Sequence, residues 1–290
     1  MAVAVDSRSA PSPEARRRRW RPGGLGGWLV WGAVAFFFVN LAGLIATVAL
    51  DAFGKTWFGG WIPDGFTVHW FSDAWADFNL TDVLIVTAQV ALSVVALSII
   101  IGVPAAYALA RRNFPGKQLV TLLFLLPILI PPITYGIPLA TLMYKLQLAG
   151  NLQGVILANL VPAVPFVVLI MIPFIEQIDP KVEAAARMCG ASTLTIFVRI
   201  LGPLLLPGIL AAGILILVRT VGMFELTFLT AGPSSTTLVV VLYDAVFGAG
   251  IRAPQEVDAM ALIYTSSMLV LLVIALRFVN PTQLVTRVGD

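Results

Sequence analysis

The chain has 290 residues, of which 59% are hydrophobic and only 11% are charged, whereas soluble domains average roughly 45–50% and about 25%. A formal charge of +3 disfavours a broad basic surface for nucleic acid. The single cysteine, Cys189, excludes an intramolecular disulfide, and the single histidine, His69, excludes a histidine-rich metal site. Composition therefore predicts a membrane protein without a zinc centre.

Six apolar runs are long enough to cross a hydrocarbon core of about 30 Å, which takes about 20 residues of helix. In chain order they are residues 28–50, 83–110, 119–144, 153–175, 204–230 and 259–278. The first run is longer and later than a signal peptide, and no small-residue cleavage site follows its core, so we expect a retained helix. The sequence thus predicts an all-α membrane protein with six transmembrane helices.

Polar segments flank these runs. Residues 1–27 are rich in Pro, Ser, Arg and Gly, so we expect a disordered basic tail or one that lies on anionic headgroups. Residues 281–290 form a second short tail. The loop at 51–82 carries five aspartates and four tryptophans, and this pattern favours a membrane interface over a ligand cage. The tryptophans are Trp57, Trp61, Trp70 and Trp75.

The basic residues predict the orientation, because Lys and Arg in short loops stay in the cytoplasm. Of 18 basic residues, fourteen lie on one side of a six-span topology. They are Arg8, Arg16 to Arg19, Arg21, Arg111, Arg112, Lys117, Lys181, Arg187, Arg199, Arg277 and Arg287. The other side has Lys55, Lys145 and Arg252, and Arg219 lies inside the fifth run. Both termini are therefore expected in the cytoplasm.

Residues 237–251 form a seventh apolar stretch. The stretch is only about 15 residues long, contains Asp244 and lies between proline-containing turns, so we expect a re-entrant or surface helix. A crossing here would move the C-terminal basic residues outside, against the charge rule.

The segment 176–207 lies on the predicted cytoplasmic side and has strong helix signals. Asp179 can cap a helix that begins at Pro180 and runs through an alanine-rich stretch, and Gly190 can end it with a left-handed turn. Ser192 or Thr193 can then cap a second short helix. We therefore expect two short helices with a sharp bend between them.

Around Gly190 the sequence resembles the permease subunits of binding-protein-dependent ABC importers of the type I class. The loop signature of that family is Glu-Ala-Ala, three residues, Gly, nine residues, Ile, one residue, Leu-Pro. The family's Glu falls on Ala184, with Glu183 one place early, and Gly202 replaces the Leu. The matching positions are Ala184, Ala185, Ala186, Gly190, Ala191, Ser192, Ile200 and Pro203.

The resemblance covers roughly residue 80 to the C-terminus and implies the type I importer permease fold, with a permease core at 83–280. It implies that the 176–207 segment docks on an ATPase subunit, so that ATP and Mg²⁺ bind on partners and this chain carries no cofactor, metal or catalytic residue. The implied partners are a second permease subunit, identical or homologous, two ATPase subunits, an extracytoplasmic substrate-binding protein and membrane lipids, without nucleic acid. The implied location is the bacterial cytoplasmic membrane.

A phosphate-binding loop on the chain itself is not supported. The only Gly-Lys-Thr, at residues 54–56, has Ala49 where the first glycine of such a loop is required.

Polar side chains inside spans are costly and face a bundle interior or a water-filled cavity. Five are candidates for the translocation path: Gln89, Tyr135, Asn159, Arg219 and Glu225. Arg219 and Glu225 are six positions apart, about 240° around a continuous helix, so we expect no direct pairing between them. They either line the path or serve as structural or subunit-interface residues.

Different motifs in the sequence favour different cargoes. Asp179-Pro180, Val164-Pro165-Phe166 and Phe224-Glu225 resemble the spermidine/putrescine and iron(III) branch, and the acidic outer loop favours a cationic or metal-complex cargo. Residues 230–233, with Leu238 and Tyr243 after them, resemble sugar permeases, so a carbohydrate importer is the alternative. A secondary carrier or channel is the alternative from a different class, and such a protein needs no docking loop.

Overall fold

The structure, a computed structural model, describes residues 25–57, 60, 62–248 and 252–278. Over these residues the regular elements are helices, and one isolated bridge pairs Gly54 with Phe66. The tail at 1–24, Trp61, the tail at 281–290 and the basic residues within both tails lie outside the described residues. The chain divides into two units, Met1–Thr47 and Val48–Asp290.

The first helix, α1, covers Leu25–Phe53 and extends the predicted 28–50 span at both ends. At about 1.5 Å per residue it reaches roughly 44 Å, which exceeds the bilayer core of about 30 Å. Within the first unit, residues 28–47 all expose their side chains. A helix that is apolar all round and exposed is suited to lipid contact.

The second unit contains α2, His69–Asp77, which lies between α1 and the next long helix. Trp70 Nε1 donates a hydrogen bond to the Gly54 carbonyl at 2.7 Å, and Trp75 Nε1 donates to Thr81 Oγ1 at 3.0 Å. Both indole N–H groups therefore have partners, as amphipathic tryptophans require at a boundary between apolar and polar surroundings. Their location at a membrane interface stays a prediction.

Three long helices form the centre of this unit: α3 at Leu80–Arg111, α6 at Leu152–Glu176 and α9 at Gly202–Val221. Helices in lipid associate through close packing, since lipid tails are as apolar as the side chains. Gly102 permits this approach, because a Cβ there would lie 2.7 Å from Val167 Cγ1. The three helices share one buried cluster, which includes Val94, Val103, Val167, Met171, Leu205 and Ile216.

The apolar run at 119–144 is not one straight helix. The segment forms two helices, α4 at Lys117–Leu129 and α5 at Pro132–Lys145, which are bent by 99° relative to each other. Pro131 and Pro132 lack backbone N–H donors, and a proline forces the residue before it into extended conformation, as at Ile130. The described part of the chain thus has five helices long and apolar enough to span a membrane, or six if the bent pair counts as one.

The bounds predicted for the fifth span, 204–230, are wrong at both ends. Helical backbone begins much earlier, so that Thr193–Val221 forms one continuous span of 29 residues. The helix stops at Val221, and a separate short helix, α10, covers Glu225–Thr230. The glycine that follows Val221, Gly222, has low helix propensity and occupies the C-cap position.

The remaining helices are α11 at Leu238–Phe247 and α12 at Pro254–Phe278. Helix α11 is ten residues, about 15 Å, and too short to cross the bilayer. This agrees with the expectation that the apolar stretch at 237–251 does not span. Thr87 Oγ1 of α3 accepts the Leu238 N–H at 2.9 Å and so fixes the start of α11.

Candidate functional site

The 176–207 segment contains a short helix, α7, that covers Pro180–Met188. The Asp179 side chain caps it by accepting the Lys181 N–H at 2.9 Å, and Pro180 stands in the first turn, where its missing N–H has no cost. The predicted helix start is confirmed.

Helix α7 ends in a tight left-handed turn at Gly190, as the sequence predicts. Gly190 has φ +80, its N–H donates to the Arg187 carbonyl, and the Ala191 N–H donates to the Ala186 carbonyl. These two bonds form a Schellman motif, in which glycine avoids the steric penalty of positive φ. A Cβ at Gly190 would have nothing within 4 Å, so backbone conformation and not crowding favours glycine.

The second short helix of the prediction does not exist as a separate element. Ser192 Oγ accepts the Thr195 N–H at 3.2 Å and caps a turn, α8, at Thr193–Thr195, but the helix then continues without a break into α9. Between them the chain takes π-helical form at Ile196–Leu201. Pro203 cannot donate a backbone hydrogen bond, and the N–H of Gly202 donates to the Phe197 carbonyl five residues back.

Two other positions of the family signature, Ile200 and Pro203, therefore lie on the helix that leads into the membrane. Ile200 is half-buried and Pro203 is exposed.

The small residues of the signature divide into an exposed and a half-buried set. Ala186 and Ala191 are half-buried and pack against the core cluster, while the exposed set is Ala184, Ala185, Gly190 and Ser192. The sequence reasoning missed Met188, whose exposure of 90% makes it the most exposed large apolar side chain of the described residues. Val182 and Leu194 of the same segment are also exposed. Exposed apolar side chains on a connection between spans are suited to contact with a protein partner.

Glu183 behaves differently from its neighbours, because its carboxylate points into the protein. The side chain is only 5% exposed. It accepts hydrogen bonds from Tyr107 Oη at 2.5 Å, Arg111 Nε at 2.9 Å and Arg187 at 3.3 Å. Arg111 also donates to the Ile178 carbonyl at 2.6 Å. We call Tyr107, Arg111, Ile178, Glu183 and Arg187 the Glu183 network.

The spacing of four residues in the sequence is a weak signal for this network. Tyr107 and Arg111 are four residues apart at the end of α3, as are Glu183 and Arg187 on α7. Such spacing places each pair on one helix face. Only the structure brings the two faces together.

Four of the five path candidates lie close together, where α5, α6, α9 and α10 meet. Tyr135 packs with Ala158, Met223 and Leu226, and Leu226 follows Glu225 in α10. Gln89 is separate: it is exposed on α3 and makes no side-chain hydrogen bond to any described residue.

Asn159 is the most buried candidate, with 2% exposure. Its Nδ2 donates to the Val155 carbonyl at 2.9 Å and to Thr227 Oγ1 at 3.3 Å. Asn159 therefore connects α6 to α10, and an interhelical hydrogen bond of this kind stabilises helix packing in a membrane.

Arg219 and Glu225 are half-buried, and no ion pair within 4.0 Å joins either of them to another described residue. The two side chains do not pair with each other, and the helix is broken between them, so the geometry of one continuous helix does not apply. The Arg219 guanidinium lies over the Phe166 ring at 5.2 Å, which is cation–π geometry. Tyr135 Oη nearby is buried without a hydrogen-bond partner among the described residues.

A row of aromatic rings, which the sequence reasoning missed, lies next to Glu225. The rings of Phe224, Phe228 and Tyr243 contact one another, and Phe247 packs on Tyr243, with centroid distances of 4.7–5.4 Å. Phe228, Tyr243 and Phe247 are exposed. Over the residues described, no group of three His, Cys, Asp or Glu side chains is arranged to hold a metal ion.

The sequence profile of the family described as "Binding-protein-dependent transport system inner membrane component" matches residues 98–282, more than half of the chain. The chain belongs to this family. The resemblance around Gly190 is thereby confirmed, and the protein is a permease of the ABC importer type rather than an enzyme. Its several apolar helices agree with a multi-pass inner-membrane protein.

Relatives of this permease differ in what their names say they transport. It is 30% identical over 214 residues to the sulfate transport system permease protein CysW of Synechocystis sp., covering 69% of this chain and 74% of that one. It is 26% identical over 257 residues to the spermidine/putrescine transport system permease protein PotC of Haemophilus influenzae, covering 87% and 95%. To the molybdenum transport system permease protein ModB of Haemophilus influenzae it is 35% identical over 152 residues, covering 48% and 66%.

Among solved structures, the fold resembles a bacterial ABC transporter involved in the import of the acidic polysaccharide alginate. The TM-score is 0.67 at 18% identity, covering 85% of this permease and 94% of that chain. At this identity the likeness shows the fold alone. The type I importer permease fold predicted from the sequence is confirmed.

Proposed function

We propose that this permease forms half of the path of an ATP-driven importer and receives the energy of ATP through the 176–207 segment. The second half is another permease subunit, identical or homologous, and two ATPase subunits bind and hydrolyse ATP with Mg²⁺. An extracytoplasmic substrate-binding protein delivers the cargo. Both termini and the 176–207 segment lie in the cytoplasm.

The observation that carries this proposal is the outward face of α7. On a helix at the surface of a folded protein, apolar side chains usually face the core. In α7 the carboxylate of Glu183 is buried and the side chain of Met188 is exposed. An exposed apolar side chain next to small residues is suited to a protein partner that approaches closely. The fixed turn at Gly190 presents this surface in one geometry.

The test is Met188→Asp in the full chain, tagged and purified from its native host membranes. Because Met188 is 90% exposed, the substitution leaves folding intact but places a charge in the contact with the ATPase. We expect ATPase subunits to be lost from the purified complex and ATP-driven uptake to fall at least tenfold. Asn113→Asp, at an exposed position in the turn after α3, is the matched control and retains both.

Unchanged uptake and an intact complex in Met188→Asp would contradict docking through this surface. Uptake that persists without ATP would instead favour the secondary carrier or channel.

For the cargo, we propose a small cationic solute such as a polyamine, or a metal complex. The support is Glu225, a half-buried carboxylate at the start of α10 that has no ion pair to any described residue. A half-buried carboxylate without a partner is costly unless a cation compensates it. The acidic connection at 51–82 would attract cations to the outer side.

The second candidate is an anionic solute such as an oxyanion, and the observation in its favour is Arg219. Its guanidinium lies over the face of Phe166 and has no carboxylate within ion-pair distance among the described residues. The exposed aromatic row favours the third candidate, a carbohydrate, because aromatic rings pack well against apolar sugar faces.

Proteoliposomes that hold the complete importer distinguish these cargoes. Uptake is measured with radiolabelled putrescine, sulfate and maltose, in the parent and in Glu225→Gln and Arg219→Gln. A cationic cargo predicts putrescine uptake that falls at least tenfold in Glu225→Gln. Sulfate uptake that depends on Arg219 would replace this assignment with the oxyanion.

A further inference from the structure

Helix α7 is nine residues long, and an isolated helix of this length is unstable in water. Turns of a few residues join α7 to α6 on one side and to α8 on the other. Side-chain contacts must therefore hold its orientation. The Glu183 network supplies them.

The network attaches α7 to the last turn of α3 and to no other long helix. Glu183 accepts hydrogen bonds from two α3 side chains, Tyr107 and Arg111, which precede it by more than 70 residues. Arg111 adds a bond to the Ile178 carbonyl, in the turn between α6 and α7. Hydrogen bonds between charged groups are about twice as strong as neutral ones, so this is a firm attachment.

The charges of the network also match their positions. Arg111 is the last residue of α3, where the helix dipole favours a cation. Its side chain is 13% exposed, so the guanidinium depends on Glu183 for compensation. Arg187 covers the same carboxylate from the solvent side with 55% of its side chain exposed.

Tyr107 makes a second attachment on the far side of the Gly190 turn. Its ring packs edge-on against Phe197 of the π-helical segment, with centroids 5.6 Å apart and planes at 83°. The end of α3 thus contacts the 176–207 segment both before and after the turn.

We infer that the Glu183 network transmits the displacement of α7 to α3, so that docking and transmission are performed by opposite faces of one short helix. Glu183 is a positioning residue in this scheme and does not contact the ATPase. Because α3 packs with α6 and α9 in the central cluster, a displacement of its end reaches the helices around the path. The inference rests on the proposed function, namely that an ATPase docks on the exposed face.

The test uses Glu183→Gln in the complete importer, reconstituted in proteoliposomes. Three quantities are measured: ATPase subunits bound, ATP hydrolysed, and probe solute taken up per ATP, with the probe selected from putrescine, sulfate and maltose. We expect bound ATPase and hydrolysis within twofold of the parent, and uptake per ATP lowered at least fivefold. Asp244→Asn removes one carboxylate charge at an exposed position of α11, outside the 176–207 segment, and is the matched control.

Tyr107→Phe keeps the ring on Phe197 and removes only the hydroxyl, so it folds even if Glu183→Gln does not. It is expected to lower uptake per ATP at least twofold. A merely structural role would reduce the amount of complex and leave the ratio unchanged.

An unchanged ratio in both variants, with ATPase still bound, would overturn the inference while the docking proposal stands. If Met188→Asp leaves the ATPase bound and uptake unchanged, the docking proposal has failed and this inference fails with it.

Discussion

Gly190 allows the backbone cost of the turn to be separated from the docking function. Its φ of +80 lies in the left-handed region, and a Cβ there would meet nothing within 4 Å. A side chain at this position therefore adds no collision inside the protein, and only the backbone conformation carries a cost. The left-handed region costs an L-residue roughly 1–2 kcal/mol, and Asn tolerates it best.

The expected loss of stability follows from these values. For a chain of this size, 1 kcal/mol corresponds to a shift of about 2–4 °C in melting temperature. We expect Gly190→Val to melt about 2–8 °C below the parent and Gly190→Asn to melt within about 2 °C of it. Both variants place a side chain on the surface where the ATPase docks, so both should lose at least tenfold in ATP-driven uptake.

Gly116 provides a matched control. It also has a left-handed backbone, with φ +85, and a Cβ there would also meet nothing within 4 Å, but it caps α4 outside the 176–207 segment. Gly116→Val should lower the melting temperature as much as Gly190→Val and retain uptake. Equal melting of Gly190→Val and Gly190→Asn would refute the backbone argument, and equal loss of uptake in Gly116→Val would refute the specific role of the Gly190 turn.

Two further predictions concern the helix bundle. Gly102→Leu should prevent the close approach of α3 and α6, because a Cβ there would already lie 2.7 Å from Val167 Cγ1. Gly213→Ala should be tolerated, because the nearest atom to its Cβ would lie at 3.4 Å. The yield of monodisperse protein after gel filtration checks both predictions. Asn159→Ala should lower the melting temperature by removing the bond to Thr227, which is worth about 0.6 kcal/mol in membrane proteins on average. Double substitution with Thr227→Val should cost little more than the single change, and additive losses would contradict a direct bond.

Local sequence rules predicted the parts of the 176–207 segment that depend on neighbouring residues. Asp179, Pro180 and Gly190 stand in the capping, first-turn and left-handed positions that their chemistry requires. The continuation into α9 was missed, because the predicted fifth span begins only at residue 204. The chain accommodates Pro203 with a π-helical turn, in which Gly202 donates to a carbonyl five residues back.

Hydropathy predicted which segments are apolar but not where their helices break. Two adjacent prolines, Pro131 and Pro132, divide the third run, and the sequence shows them plainly once bending is considered. The break after Val221 has only Gly222 as a signal, and an isolated glycine is common within spans. Contacts between distant segments, such as that between Tyr107 and Glu183, depend on how helices pack and leave no periodic pattern in the sequence.

Cross-linking from Cys189 tests the central claim, ATP coupling through the 176–207 segment, most directly. This residue is the only cysteine of the chain and is exposed next to the Gly190 turn, so the native protein can be labelled there with a maleimide–benzophenone reagent. Illumination of membranes that contain the assembled importer should give a covalent product between this permease and an ATPase subunit, with a yield that changes when ATP and vanadate are added. Cys189→Ser should abolish the product. An ATPase that co-purifies with the permease but is never cross-linked from Cys189 would contradict the account.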